Sequence, residues 1–413
     1  MRRLVIVTIL GAALCCAASA QISAASFRHH YVTTGMPSKN TWGFAPSALA
    51  DFDKDGDLDY AVGDRGNQIY WFEYQAAGRW VRHDLGPFSP SHLGGAALDV
   101  DRDGWPDLII GGYWYRNPRN PRAQAFSRYR YDGTLAGEIH DILTADVNGD
   151  GKPDVVALGD NDGCFWYEIP ADPAVDADWA RTTITLDVRV DAVGMHSGPF
   201  PNGVADLDRD GDADLVLPDR WLENSAQGSQ WKAHRLPIGS RGPWGLSSRS
   251  WIVDLDRDGD ADIVMCHADQ QNSAVAWLEN NGRTPPGFAL HYLPNKAPGT
   301  RGSFHSLAVA DFDSDGDADI LAVEQEDTSI FPVGANPRWF VWENLGGRTP
   351  RFEERVILDA GLGGHDVRVG DVDGDGDLDI VSKVWNLWPG NANKGRFHAD
   401  FLENISKRPP GGR

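Results

Sequence analysis

The chain has 413 residues, 41% of them hydrophobic, and a formal net charge of -22 from 38 Lys and Arg against 60 Asp and Glu. No basic stripe and no interleaving of aromatic with basic residues accompanies that charge, which excludes a nucleic-acid reading. Beyond the N-terminus no segment reaches the about 18 consecutive apolar residues that a membrane span requires, so no span is expected.

In chain order, Met1-Arg2-Arg3, an apolar run from Leu4 to about Ala17 and the small residues Ala18-Ser19-Ala20 read as a secretory signal peptide over 1–20, cleaved before Gln21. The mature protein is therefore expected to be secreted or periplasmic, and a monomer. A strand-like segment follows, Phe27-Arg28-His29-His30-Tyr31-Val32, that belongs to no repeat of its own.

The pattern D-x-[DN]-x-D-G-x-x-D then begins seven times, at Asp51, Asp99, Asp146, Asp206, Asp254, Asp311 and Asp371, with 47 to 60 residues between starts. Each copy sets oxygens at positions one, three, five and nine, with Gly at six for a sharp turn. The candidate ligands are Asp51, Asp53, Asp55 and Asp59; Asp99, Asp101, Asp103 and Asp107; Asp146, Asn148, Asp150 and Asp154; Asp206, Asp208, Asp210 and Asp214; Asp254, Asp256, Asp258 and Asp262; Asp311, Asp313, Asp315 and Asp319; and Asp371, Asp373, Asp375 and Asp379. Hard oxygen donors in a flexible loop favour calcium. An EF-hand needs a bidentate Glu at position twelve, where this chain has Val62, Ile110, Ala157, Leu217, Met265, Ala322 and Ser382, so that motif is excluded. Short apolar runs flank every loop, for example Leu307-Ala308-Val309-Ala310 before and Asp379-Ile380-Val381 after, which predicts a strand on each side.

A third segment recurs with an aromatic residue and Glu-Asn, as in Trp221-Leu222-Glu223-Asn224, Trp277-Leu278-Glu279-Asn280, Trp342-Glu343-Asn344 and Phe401-Leu402-Glu403-Asn404, and more loosely at Trp71, Trp114 and Trp166. A fourth reads aromatic-x-x-His-x-aliphatic, from Trp80 to Leu85, Trp231 to Leu236 and Phe288 to Leu293. Four strands in each of seven units predict an all-β, seven-bladed β-propeller over residues 21–405, with a disordered tail at 406–413. The seventh unit lacks a fourth strand, so the N-terminal segment is expected to complete the last blade and close the ring without a free edge. The cysteines left after cleavage, Cys164 and Cys266, fall in non-adjacent blades and should not pair.

The loop-and-strand pattern resembles the FG-GAP and VCBS-type calcium-binding repeats that build the integrin α-subunit head and many secreted bacterial propellers. The resemblance implies up to seven structural calcium ions. The loops hold 32 aspartates, and seven calcium ions would return 14 positive charges, so roughly two thirds of the charge excess is linked to calcium rather than to a basic partner.

Departures from the repeat fall on the rim opposite the loops. His30, His83, His234 and His291 hold the fourth-strand position and read as structural. His92, His140, His196, His305 and His365 instead lie just upstream of inner strands, six or seven residues before the loop Asp in four cases and ten in the fourth blade. Convergence on the axis could let them hold a transition metal or transfer protons; the competing reading is a consensus structural histidine. His267, Asp269, Glu324, Glu326, Lys383 and Trp385 follow second strands, and the connections after His267, Glu324 and Lys383 are long. Trp339, Trp385, Trp388, Asn391, Asn393, Lys394 and Arg396 there mix aromatic faces with polar donors, which suits sugars.

Two functions follow as expectations. One is a binding propeller presenting that rim to a glycan or an extracellular protein, with His92, His196, His267, Glu324, Trp385, Trp388 and Arg396 as ligand-binding candidates. The alternative is a carbohydrate lyase or dehydratase, with His140, His305 or His365 as base and Lys383, Arg368 or a metal as the positive charge. No nucleophile elbow, zinc-protease motif or phosphate loop is present.

Overall fold

The computed structural model describes residues 25–37, 43–86, 94–135, 139–159, 162–175, 177–188, 194–239, 241–243, 245–326, 336–347 and 349–406. The expected signal peptide, Trp42, His92, Trp244, Phe331 and the tail beyond Ser406 lie outside them. Among the described residues the regular elements are all strands, and no helix is long and apolar enough to cross a membrane.

Seven antiparallel sheets form the blades of a propeller. Their innermost strands are Ser47–Ala50, Gly95–Leu98, Ile139–Ala145, Val204–Ala205, Gly245–Val253, Phe304–Ala310 and His365–Gly370. Each touches the inner strand or its lead-in segment in the next blade, and the seventh returns to the first. The outermost strand of the seventh sheet is the N-terminal Phe27–Thr33, which pairs antiparallel with Ala399–Asn404 from Phe27↔Asn404 to Thr33↔Ala399. Blade four departs from the pattern. Its inner strand is two residues long, and the segments Met195–Ser197 and Pro201–Asn202 run parallel to the inner strand of blade five.

The apolar core lies between blades. Seven clusters each join two neighbours, such as Tyr60, Val62 and Phe72 of blade one with Val381, Ala399 and Phe401 of blade seven. Loop position two feeds these layers: Phe52, Val100, Val147, Leu207, Leu255, Phe312 and Val372 are all buried.

The repeated polar residues have specific tasks. The ninth-position Asp is buried and accepts backbone N–H bonds on both oxygens. Asp262 Oδ2 takes Leu255 N at 3.2 Å and Oδ1 takes Asn280 N at 2.8 Å, and Asp59, Asp107, Asp214, Asp319 and Asp379 repeat the arrangement. The Asn ending the third strand donates to the preceding blade: Asn280 Nδ2 reaches Leu207 O at 3.1 Å, Asn224 reaches Val147 O at 2.9 Å and Asn404 reaches Phe312 O at 2.8 Å. The Glu before it holds the fourth-strand histidine, which stacks on the third-strand Trp. His234 lies 4.4 Å from the Trp221 ring and bonds Glu223, and the His83–Trp71–Glu73 and His291–Trp277–Glu279 sets match it. These histidines are structural. Cys164 and Cys266 are buried free thiols.

Candidate functional site

Two groups of side chains need a chemical account: the aspartate loops at one end of the inner strands and a polar cluster at the other. All seven loops share one backbone. Position four has positive φ, from 57° at Arg102 to 72° at Gly149 and Gly374, and the Gly at six lies between 80° and 105°. A side chain is tolerated at four with modest strain, whereas φ near 100° at six suits glycine alone. The first Asp caps the turn, as Asp311 does by accepting Asp315 N at 3.1 Å and Gly316 N at 3.0 Å.

The donor set fits a divalent cation held by oxygen. Ligand oxygens of Asp51, Asp53 and Asp59, of Asp99, Asp101 and Asp107, and of Asp206, Asp208 and Asp210 lie within 4.8 Å of one another. Buried oxygens Asp53 Oδ1, Asp101 Oδ1, Asp313 Oδ2 and Asp371 Oδ1 accept no hydrogen bond, an arrangement that is costly without a counter-charge. Burial first, then crowding by Asp53, raises Asp59 to about 9, and burial likewise raises Asp319 and Asp379 to about 8. The loops are not equivalent. Arg122 reaches Asp53 at 2.7 Å and Asp55 at 2.6 Å, Arg116 reaches Asp101 at 2.5 Å, and Lys152 reaches Asp150 at 2.5 Å.

At the opposite end, His140, His196, His305 and His365 do converge. Ring centroids are 4.4 Å apart for His140 and His196, 5.4 Å for His140 and His305, and 3.7 Å for the stacked His305 and His365, and Trp385 stacks on His365 at 5.0 Å. His196 arrives from the segment parallel to blade five rather than from an inner strand of its own blade.

The centre of this cluster is Arg249, a residue the sequence reading passed over. Its Nη1 donates to Asp141 Oδ1 at 2.9 Å, and its Nη2 to Asp366 Oδ1 at 3.1 Å and His305 Nδ1 at 2.7 Å. Asp141 also accepts from His140 Nδ1 at 2.7 Å and Gly198 N at 2.8 Å. Burial alone would raise Asp141, but Arg249 and His140 outweigh it and bring it to about 2. Burial, with Arg249 beside it, lowers His305 to about 4. The neutral ring thus accepts from Arg249 at Nδ1 and directs Nε2–H to Asp269 Oδ2, 3.3 Å away. Lys383, lowered to about 8 by burial, bridges His365 Nδ1 at 3.0 Å and Asp366 Oδ2 at 3.3 Å.

Possible ligand atoms of His305, His365 and Asp366 lie within 4.8 Å of one another. The Nδ1 atoms of both rings and both Asp366 oxygens are nevertheless engaged by Arg249 and Lys383. As arranged, the cluster carries its own cations at these atoms.

The expected channel mouth is therefore a packed interior. His140, His305, His365 and Lys383 are 4%, 1%, 2% and 0% exposed. Glu324 is committed to the backbone, accepting Gly302 N at 2.7 Å and Arg338 N at 2.9 Å. Trp339 belongs to the core, with Nε1 on Leu362 O at 3.0 Å. Asn391 and Asn393 brace the last connection by bonding Glu326 and Phe397 O. His267, partly buried, has a buried Nε2 without a hydrogen-bond partner, and burial lowers its pKa. Trp388 is half-buried, while Lys394 and Arg396 are exposed.

Adjacent residues on a strand ordinarily face opposite sides. His140 and Asp141 both reach the axis because the inner strand changes register between Ile139 and Asp141; His365 and Asp366 lie within a similar irregularity. The available signal was the His-Asp dipeptide at 140–141 and 365–366, with Arg249 in the matching register, five residues before its loop.

A family model described as FG-GAP-like repeat matches residues 51–110, 254–322 and 330–382. No curated protein sequence matches the chain. Among solved structures it is similar to an Agrocybe aegerita lectin described as recognising non-reducing terminal N-acetylglucosamine, with 20% identity over 78% of this chain and 81% of the lectin and a TM-score of 0.50. It is also similar to BBS1N solved in complex with ARL6DN. A lead-soaked crystal gives 8% identity over 92% of this chain and 97% of that one, TM-score 0.52, and a mercury-soaked crystal 9% over 93% and 99%, TM-score 0.50. At such identities the likeness is one of fold. Seven loops of one pattern, seven blades around one axis and three segments that match the FG-GAP-like repeat together support an FG-GAP-type β-propeller.

Proposed function

We propose that the protein is a secreted, calcium-stabilised propeller that binds a glycan on the rim opposite its aspartate loops. The observation that carries this reading is the contrast between the ends of the inner strands: one rim repeats a single loop in every blade, and the other differs from blade to blade. Structural uniformity suits a stabilising ion, and variable connections on a rigid scaffold suit recognition. In each loop, the side chains at positions one, three, five and nine would hold calcium, which supplies charge neutralisation and cross-links the loop to its blade.

The lyase or dehydratase alternative asks His140, His305, His365 or Lys383 to reach a substrate. Their burial and mutual bonding favour a structural hub instead. Trp388, Lys394 and Arg396, in the connection over residues 384–398, are the better-presented groups: an indole for a sugar face and two cations for its substituents. The lectin with the same fold supports sugars as the first class to screen. On a glycan array, the mature protein should bind a restricted set of glycans. Trp388→Ala with Arg396→Ala should weaken binding by about tenfold or more at unchanged melting temperature. Undiminished binding would move the site elsewhere, and binding only to a protein partner would overturn the glycan reading.

A further inference from the structure

The axis also carries a cavity at the other end, away from the rim proposed above for glycans. Inner strands are buried at their heads and become accessible toward the aspartate loops: Ser47–Ala50, Gly95–Leu98, Ile139–Ala145 and His365–Gly370 all show this gradient. The channel is thus a funnel that opens on the loop side. Its narrow end is blocked by Phe200, whose ring lies under two guanidinium groups, Arg249 at 5.2 Å and Arg368 at 4.6 Å. Above this plug is a cavity of about 320 Å³, lined by inner-strand segments that include Leu49, Ala96 and Val369, with Arg368, Thr144 and Asn202 as its polar side chains.

Those polar groups are only partly engaged by the fold. Arg368 donates through Nε to Ser47 Oγ at 3.4 Å and through Nη2 to Ser47 O at 2.5 Å and Gly95 O at 2.9 Å, which leaves Nη1 outside these bonds. Among the described residues no carboxylate forms an ion pair with it. Asn202 makes one long bond, Nδ2 to Ile252 O at 3.4 Å, and Thr144 Oγ1 makes none. The accessible lining of the chamber is mostly polar, and a sheltered guanidinium with no carboxylate at ion-pair distance suits an anion.

We propose that this funnel binds a small organic carboxylate that enters from the aspartate-loop face. Its carboxylate lies on Arg368, its hydroxyl groups on Thr144 and Asn202, and its carbon body against the partly exposed Leu49, Ala96 and Val369. A cavity of about 320 Å³ is at the small end of the range of small-molecule sites, which suits a hydroxy acid or one acidic monosaccharide. Calcium in the loops would offset the negative charge at the funnel entrance.

The test is calorimetric titration of calcium-saturated mature protein, in low-salt carboxylate-free buffer, with lactate, D-glucuronate and, as a neutral control, D-glucose. At least one acid should bind saturably and glucose should not. Arg368→Gln should weaken the acid by about tenfold to a hundredfold. Because Arg368 also holds the Ser47 and Gly95 carbonyls, Thr144→Val, which touches neither, should weaken it severalfold with an unchanged melting curve. No saturable heat for either acid up to about 10 mM, or wild-type affinity in both variants, would overturn the proposal. Loss of acid binding in Trp388→Ala would place the acid on the glycan rim and overturn it equally, whereas failure of the glycan screen leaves these outcomes unaffected.

Discussion

His398 lies between two carboxylates, with Asp400 Oδ2 2.6 Å from Nδ1 and Glu326 Oε1 3.1 Å from Nε2. Burial alone would lower its pKa, but Asp400 and Glu326 outweigh it and raise the imidazole to about 10. His29, 2.8 Å from the other Asp400 oxygen, belongs to the same network and couples the N-terminal strand to it. A folded pKa above the unfolded value of about 6.5 gives stability that is fully present below that pH and is lost as pH rises through about 10. Urea unfolding of the wild type should therefore show stability declining from pH 7 to pH 10. His398→Gln should flatten that decline and cost about 3 kcal/mol at pH 7, because two buried carboxylates lose their cation. A variant with the wild-type slope would show that the pair does not carry the pH dependence.

Among elements, the third strand does more than complete a sheet. Asn280 Nδ2 serves Leu207 O of the preceding blade and Ala261 O of its own loop, at 3.1 and 2.9 Å, while its Oδ1 accepts Gly282 N at 3.0 Å. Asn280→Ala leaves two buried carbonyls without a donor, so chemical denaturation should report a loss of about 2 kcal/mol, and a loss below about 0.5 kcal/mol would contradict the cross-blade role. This level was the most legible in the sequence, because the loop spacing repeats seven times, the Glu-Asn ending four times, and the N-terminal segment stands out as belonging to no repeat. The structural standing of the fourth-strand histidines was legible for the same reason. The axial cluster was legible only by half. Histidine type and position brought four of its members to notice, but strand alternation hid Asp141 and Asp366 behind their neighbours until a change of register turned both side chains inward. Arg249 sits where its neighbouring blades have other residues, so no repeat pointed to it. Trp339 was misread as available because its third-strand position falls at the start of Trp339–Asn344, ahead of the recurring Trp342.

The whole molecule is a ring of seven interblade cores with opposite chemical problems at its two ends. At one end the charges are internally balanced: Arg249 and Lys383 meet Asp141 and Asp366, and the buried histidines His305 and His365 are held neutral. At the other end the loops concentrate 32 aspartates of a chain whose net charge is -22. Arg122, Arg116 and Lys152 relieve only the first three loops, and bonds such as Arg257 to Asp317 at 2.9 Å tie one loop to the next. Bound cations, as proposed above, would hold that rim together. The most direct measurement is elemental analysis of the purified mature protein after dialysis from calcium buffer. About four to seven calcium ions per chain are expected, the lower figure applying if those three basic side chains keep their carboxylates, and no stoichiometric zinc, manganese or iron. A folded protein that retains no calcium would contradict that expectation.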